Sequence, residues 1–476
     1  MIYLIADRIA PTVLVLLFGA ALVVGGEPVG EREVVLTALE RNTDIKLVKL
    51  DLRSDSLTLE AAKAAWLPRA DIGVSGRYEA FEEGIVTREA DFGGAIAGKQ
   101  TLPGGGTVNA STATERTRYF KRDSGGYSSE LSVGYTQPLL RGAWRNGLVD
   151  YAVRIQRLDS RKFSIEQTKH ILAVISRVRN LYWDAYEKTK LRAIYKRRVV
   201  YKQTQLRSAR ERYALGTVSL LDTLSARYEY LLATQTLLTA QIEDSLAQRA
   251  LARDLAIEPG ELVPDTGKGL RLGEAPTAEA FLSEARRFDP DLRIFEVLRE
   301  KLAIETDHAR NKLLPELSAG VEYQRNLYSD APLTGDRWCE SNTVFSLILK
   351  YSVPTKRRRI ELMKTAIAGE RNEINALDRR DRIDDQAKEM LLAWRKELRA
   401  LEVAEASYEV ALKKAEASRV GFEVGTVDRV TLLRDESDYL DATTGLLRRK
   451  IALKRLEIAC DELTGAVLAK FGVTLR

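Results

Sequence analysis

The sequence predicts a mainly α chain with a β component, in which two tandem repeats each join a long antiparallel coiled-coil helical hairpin to strands of transmembrane β-barrel type. Three observations predict it. An internal repeat recurs at a spacing of 247 residues, heptad-like apolar stripes run through proline-free stretches of about 70 residues, and short segments alternate apolar with small or polar side chains.

The repeat is the most informative of the three. Leu36 to Asp44 leads through a helical stretch to Trp66-Leu67-Pro68, and Leu282 to Asp291 leads through another to Leu313-Leu314-Pro315. The pairs Asn42/Asp289, Pro68/Pro315 and Gly73/Gly320 share the 247-residue offset without a gap. Each proline is followed by an alternating strand, a loop, a second strand ending in proline (Pro138 or Pro354), a very long helix, a glycine break and a returning helix. Repeat one therefore covers residues 27–265, with strands about 70–82 and 128–139 and a hairpin tip at 214–218. Repeat two covers 275–466, with strands about 316–326 and 342–353 and a tip at 423–427, and a C-terminal tail occupies 467–476.

The long helices follow from their stripes. Tyr151, Ile155, Leu158, Ile165, Leu172, Ile175, Tyr182 and Tyr186 fall at steps of three, four or seven. Leu221, Leu224, Tyr228, Leu231, Leu238 and Ile242 repeat the pattern past the first break, as do Val430, Leu433, Leu440, Leu447, Ile451 and Ile458 past the second. Stripes this narrow mean coiled-coil packing. No proline interrupts the chain between Pro138 and Pro259 or after Pro354, so an arm of about 70 helical residues would reach ~105 Å. From proline to glycine break the halves run 78 and 71 residues. The difference of one heptad is expected to lengthen one arm by ~10 Å while preserving its seam.

The strands alternate. Ile72, Val74, Gly76 and Tyr78 oppose Asp71, Gly73, Ser75 and Arg77, and Val321 and Tyr323 alternate with Gly320 and Glu322. In the returning strands Leu131, Val133 and Tyr135 oppose Ser132, Gly134 and Thr136, while Phe345, Leu347, Leu349 and Tyr351 oppose Ser346, Ile348, Lys350 and Ser352. One apolar face and one small or polar face suit a barrel wall with lipid outside and water inside. Four strands are placed in this way. Repeat one also holds an extra segment, residues 90–118, around the turn signal Pro103-Gly104-Gly105-Gly106, which fits either added strands or a long surface loop.

Composition narrows the function. Only 12 prolines and a 30% charged fraction suit long solvated helices, and the net charge of +6 arises from 74 basic against 68 acidic residues. The basic runs Lys356–Arg359 and Arg448–Lys450 read as solvated helix faces or lipid-headgroup contacts, so no nucleic-acid partner is expected. The apolar run Ile9–Val24, followed by Gly25-Gly26-Glu27-Pro28, reads as a secretory signal peptide over residues 1–26. Cys339, placed in a loop between strands, and Cys460, on a returning helix, have no CxxC partner and are expected to stay unpaired. His170 and His308 read as ordinary helix residues. HExxH, GxSxG, Walker A and dinucleotide motifs are absent, and no Lys-Ser/Thr follows Gly104–Gly106. No catalytic, cofactor-binding or metal site is expected.

The paired starts at Asn42-Thr43-Asp44 and Asp289-Pro290-Asp291, the Leu-Pro strand entries, the exit Gln137-Pro138-Leu139-Leu140-Arg141-Gly142 and the two Gly-Thr breaks come in an order that repeats twice. From about Glu31 to Gly465 this order resembles the TolC-type outer-membrane efflux family. The resemblance implies a homotrimer in the outer membrane of a Gram-negative-type bacterium. Each protomer would give four strands to a 12-stranded, lipid-surrounded barrel and its helices to a long periplasmic tunnel. It also implies two partners, a periplasmic adaptor (membrane fusion) protein and an inner-membrane transporter, with the channel serving as exit duct for tripartite efflux or type I secretion.

Within that resemblance, Leu215, Gly216 and Thr217 and Val424, Gly425 and Thr426 are the hairpin tips where an adaptor docks. Of the residues that close the mouth in the family, Asp222 matches an aspartate. Phe422 stands in place of a tyrosine, Val427 in place of an arginine, and Thr431 and Arg434 in place of two ring aspartates. Asp428, Arg429 and Asp435 offer alternative links. The rival reading is a secreted periplasmic coiled-coil scaffold or adaptor without a pore. Adaptors carry one helical hairpin, whereas this chain carries two.

Overall fold

In the computed structural model of the chain, residues 28–81, 87–119, 124–144, 148–258, 263–265, 273, 277–333, 338–351 and 356–472 are described; the signal segment 1–26 lies outside them. Repeat one runs β1 (Pro28–Val29), α1 (Glu31–Arg41), α2 (Thr43–Ala64), β2 (Arg69–Phe81), β3 (Thr87–Thr101), β4 (Thr107–Tyr119), β5 (Ser124–Pro138), α3 (Leu148–Ala214), α4 (Leu220–Leu255) and β6 (Val263–Pro264). Repeat two runs α5 (Ala278–Phe288), α6 (Pro290–Asn311), β7 (Glu316–Ser329), β8 (Trp338–Lys350), α7 (Lys356–Val424), α8 (Arg429–Thr464) and α9 (Ala466–Phe471). The expected tail thus begins with a short helix.

Both repeats use the same local chemistry. α1 and α5 have 11 residues each, α2 and α6 have 22, and α4 and α8 have 36. The break between the paired short helices is a side-chain cap in each case. Asn42 Oδ1 accepts from the N–H of Asp44 at 2.8 Å, and Asp289 Oδ1 accepts from the N–H of Leu292 at 2.8 Å with Pro290 in the first helical turn.

The expected one-heptad difference between the arms is corrected by the structure. α3 has 67 residues and α7 has 69. The additional residues of repeat one lie between β5 and α3 instead, where Gly142 (φ 76°) and Trp144 (φ 54°) leave the right-handed helical region and delay the start of α3.

The chain divides into two compact units. The first comprises the described parts of Met1–Ile45, Ile175–Ala275 and Ala393–Ala459. Its core gathers Val34 and Val35 of α1, Ile175, Val178 and Tyr182 of α3 and Leu255 of α4, all buried. Arg177 of α3 joins Asp44 at 2.5 Å and Asp254 at 2.7 Å, and Asn42 Nδ2 donates to the Asp254 carbonyl at 2.6 Å. A parallel pairing of β1 with β6 completes this unit.

The apolar stripes divide unequally. Leu172, Ile175, Tyr182 and Tyr186 of α3 and Leu433, Leu440, Ile451 and Ile458 of α8 are buried as expected. The stripe on α4 is not, because Leu221 is 71% exposed and Tyr228 67% exposed, while Ala226, Ala233, Ala240 and Ala247 are buried. The seam of α4 inside the protomer is therefore an alanine heptad, which permits close approach of neighbouring helices, and its leucines and tyrosine face outward.

The second unit comprises Lys46–Val174, Pro276–Leu392 and the described residues from Cys460 onward. It holds a six-stranded antiparallel sheet in the order β2-β3-β4-β5-β7-β8. Cross-strand register runs unbroken through all six strands, as in the row Ile72, Ile96, Thr112, Leu131, Arg325, Ser341. Successive residues point to opposite faces. One face therefore carries Ile72, Val74, Phe92, Val133, Val321, Phe345 and Leu347, and the other carries Asp71, Ser75, Lys99, Ser111, Glu130, Glu322 and Ser346.

The strand bounds differ from expectation at several ends. The segment 90–118 forms β3 and β4, joined by a turn in which Gly104 (φ 93°) and Gly105 (φ 86°) adopt left-handed geometry. The strand expected at 128–139 begins at Ser124, and the one expected at 342–353 spans Trp338–Lys350. Cys339 consequently lies within β8, opposite Leu327, and not in the loop. Beyond Lys350, residues 352 and 353 fall outside the described residues. Among the described residues, no helix is long and apolar enough to cross a membrane.

Candidate functional site

Both glycine breaks are chain reversals in the first unit, built in the same way. At the end of α3, Gly216 has φ 71° and the N–H of Thr217 donates back to the Arg212 carbonyl at 2.9 Å. At the end of α7, Gly425 has φ 81° and the N–H of Thr426 donates to the Gly421 carbonyl at 2.8 Å. The threonine hydroxyl reinforces each closure, Thr217 onto Arg212 at 2.9 Å and Thr426 onto Gly421 at 3.1 Å. These are Schellman-type stops with glycine at the left-handed position. A Cβ placed on either glycine meets no atom within 4 Å, so the requirement for glycine is conformational and not steric crowding.

The returning helices restart within a few residues through side-chain caps. Ser219 and Asp222 form a reciprocal box, in which Ser219 Oγ accepts from the Asp222 N–H at 3.2 Å and Asp222 Oδ2 accepts from the Ser219 N–H at 3.0 Å. These bonds from Ser219 hold the Asp222 carboxyl below its ordinary pKa. Asp428 Oδ1 accepts from the Thr431 N–H at 3.2 Å, and the bonds to Thr431 lower its pKa too. Asp222 and Asp428 thus serve in this chain as helix caps.

The other residues singled out from the sequence are spread around the tips. Leu215 and Val424 project as exposed apolar side chains, 78% and 72% accessible, and Phe422, Thr431 and Arg434 are exposed. Arg429 approaches Glu211 at 3.9 Å, linking the start of α8 to α3. Asp435 is buried between α7 and α8, where Lys414 reaches it at 2.6 Å and Ser418 Oγ donates to it. Burial pushes the Asp435 carboxyl up, but Lys414 and Ser418 outweigh it and the net shift is downward.

The main bridges between the two hairpins lie away from the tips. Arg198 of α3 pairs with Asp441 of α8, and Arg455 of α8 pairs with Asp184 and Glu187 of α3, both at 3.1 Å. Buried Glu436 of α8 bonds Arg419 of α7 and lies beside Tyr201 of α3, and burial together with Glu436 raises the tyrosine's pKa. Sequence reasoning missed these residues because one charge among the 142 Lys, Arg, Asp and Glu side chains of this chain carries no periodic signal. Only the burial of Glu436 distinguishes it from a solvated face, and burial is a tertiary property. Among the described residues, no group of three or more His, Cys, Asp or Glu is placed to hold a metal ion.

Comparison with known proteins places this architecture. A family model described as outer membrane efflux protein matches residues 34–256. Among solved structures, CusC superposes with a TM-score of 0.66 at 13% identity, covering 93% of this chain and 97% of its own, and is described in terms of folding and transmembrane channel formation. The Campylobacter jejuni CmeC outer membrane channel gives 0.66 at 14% identity, with 91% and 85% covered. The Vibrio cholerae outer membrane protein VceC gives 0.65 at 12% identity, with 91% and 96% covered. No curated protein sequence matches the chain.

Proposed function

We propose that this chain, whose residues 34–256 match the outer membrane efflux protein family and whose fold is that of outer-membrane channels, is the protomer of a trimeric channel-tunnel, the exit duct of a tripartite efflux or type I secretion system. The observation that carries the reading is the sheet. Its apolar face is bare, with Ile72 at 78% and Phe345 at 81% exposure, while its opposite face is polar and both edge strands lack a partner in the sheet. Water tolerates neither a bare apolar face of this extent nor two long free edges. A barrel closed with further copies resolves both, placing lipid on one face and an aqueous lumen on the other. The outward leucine stripe of α4 supports copies as the partners, since α7 also exposes Val403 and Val410 at heptad spacing.

In this reading the Gly216 and Gly425 reversals meet a periplasmic adaptor, which in turn engages an inner-membrane transporter. The exposed Leu215 and Val424 supply the apolar contact, and Thr217 and Thr426 hold each turn's shape. The mouth rests closed through the links from α8 to α3, chiefly Glu436–Tyr201, Arg198–Asp441 and Arg455–Glu187, and opens when adaptor contact separates the hairpins. Phe422, Thr431 and Arg434 then line the mouth without forming a carboxylate ring.

An export assay with tip variants tests the docking role. Gly425→Val and, less severely, Gly216→Val should abolish export while membrane insertion and oligomer yield stay near normal, because a β-branched residue at positive φ is strained by roughly 1–3 kcal/mol. Gly425→Asn should retain export, since asparagine tolerates that conformation. Full export by Gly425→Val would remove the tips from the docking surface.

A further inference from the structure

Repeat two joins its strands β7 and β8 directly, whereas repeat one places the hairpin β3–β4 between β2 and β5. The insertion is coextensive with the rest of the wall. Its ladders run from Arg69↔Lys99 to Phe81↔Thr87 and from Thr101↔Thr107 to Glu89↔Tyr119, matching the span of β4–β5 and β7–β8. A loop standing off the barrel would lack one of its two flanking ladders.

The hairpin also has a dedicated fastening. The Gly104 carbonyl accepts from the Trp144 N–H at 2.8 Å and from Gln137 Nε2 at 3.1 Å, and the Gly104 N–H donates to Asp150 Oδ2 at 2.8 Å. Trp144 belongs to the additional residues between β5 and α3 that repeat two lacks. Repeat one therefore carries both an extra hairpin and the bracket that seats its turn against the start of α3.

Resting on the trimer reading, we infer that the barrel closes with eighteen strands, six from each of three copies, and not the twelve that the family resemblance implies. The free edges are the 13-residue strands β2 and β8, equal in length, so β2 of one copy can pair along β8 of the next. At a strand spacing of about 4.8 Å and a tilt of about 40°, eighteen strands give a backbone radius of roughly 18 Å and twelve roughly 12 Å. The lumen cross-section then rises about twofold, into the range where large barrels hold an aqueous channel. Gly93, Ala95, Ala97, Ser111 and Ala113 form the middle of the lumen face of the added hairpin, with Asp91, Lys99, Asn109 and Glu115 toward its ends, so at mid-height it widens the wall without refilling the interior. The barrel would admit hydrated solutes or polymers too wide for a twelve-stranded one.

Cysteine scanning of the full-length protein in liposomes, on a Cys339→Ser/Cys460→Ser background, tests this alongside native mass spectrometry of the detergent-extracted oligomer. Ala95→Cys, Ala97→Cys and Ala113→Cys should react with a membrane-impermeant maleimide, and Phe92→Cys, Ile96→Cys and Ala110→Cys should not, in a particle of trimer mass. Trimer mass with labelling at all six positions would overturn the eighteen-stranded wall and leave the trimer standing. A mass other than trimer would overturn the assembly itself, and with it this inference.

Discussion

At the scale of single residues, the tips are decided by φ angles and caps. Gly216 and Gly425 supply the left-handed stop, and Ser219 with Asp222 and Asp428 with the Thr431 N–H supply the restart. Bonding to the ionised carboxylate lowers the pKa of both aspartates, so the sign of their pH dependence is fixed. A depressed carboxyl stabilises the fold fully above its unfolded value of about 4 and loses that contribution as pH falls through its lower folded value. Amide exchange at the first turns of α4 and α8, divided by the intrinsic exchange rate at each pH, should therefore stay slow and constant from about pH 8 to pH 5, rising only below about pH 4. A rise between pH 8 and pH 6 would mean that other groups hold these turns. The glycines were legible in the sequence, and Asp222 was singled out there through the family resemblance. The capping role of Asp222 was hidden, because an aspartate that pairs with its own helix start looks the same in sequence as one that reaches a neighbour.

At the scale of elements, periodicity located the helices but misjudged one seam. A heptad of leucines and a heptad of alanines coexist on α4, and hydrophobicity alone favours the leucines as the inner face. The structure buries Ala226, Ala233, Ala240 and Ala247 instead, since small residues allow close helix packing. Ala233→Leu should overpack that seam and destabilise the protomer by about 1–3 kcal/mol. Tyr228→Ala should leave protomer stability nearly unchanged and weaken the oligomer. Denaturant melts paired with mass measurements separate the effects; equal losses of protomer stability from both would contradict the assignment of faces. The same limit explains the arms and the barrel wall. The seven-residue surplus of repeat one was visible as a length, but its place between β5 and α3 depends on Gly142 and Trp144 adopting positive φ. The strand character of 90–118 was masked because the runs Gly93–Gly98 and Asn109–Ala113 are small-residue segments with weak apolar alternation.

At the scale of the whole molecule, each hairpin and each sheet face is incomplete in one copy, and that incompleteness is what a membrane channel built from several copies requires. The tandem repeat was legible in the sequence as the 247-residue offset of Asn42/Asp289, Pro68/Pro315 and Gly73/Gly320, and the structure adds the equal lengths of α1 and α5, α2 and α6, and α4 and α8. The interlocking charges between α3 and α8 did not show there, and they give the account its sharpest test. Single-channel recording of the purified protein in planar bilayers should show discrete insertion events of small resting conductance. Glu436→Ala combined with Arg455→Ala should raise that conductance several-fold, since two of the three chief links between the hairpins are lost. Membranes that incorporate the protein yet show no conductance steps in either form would contradict the channel itself.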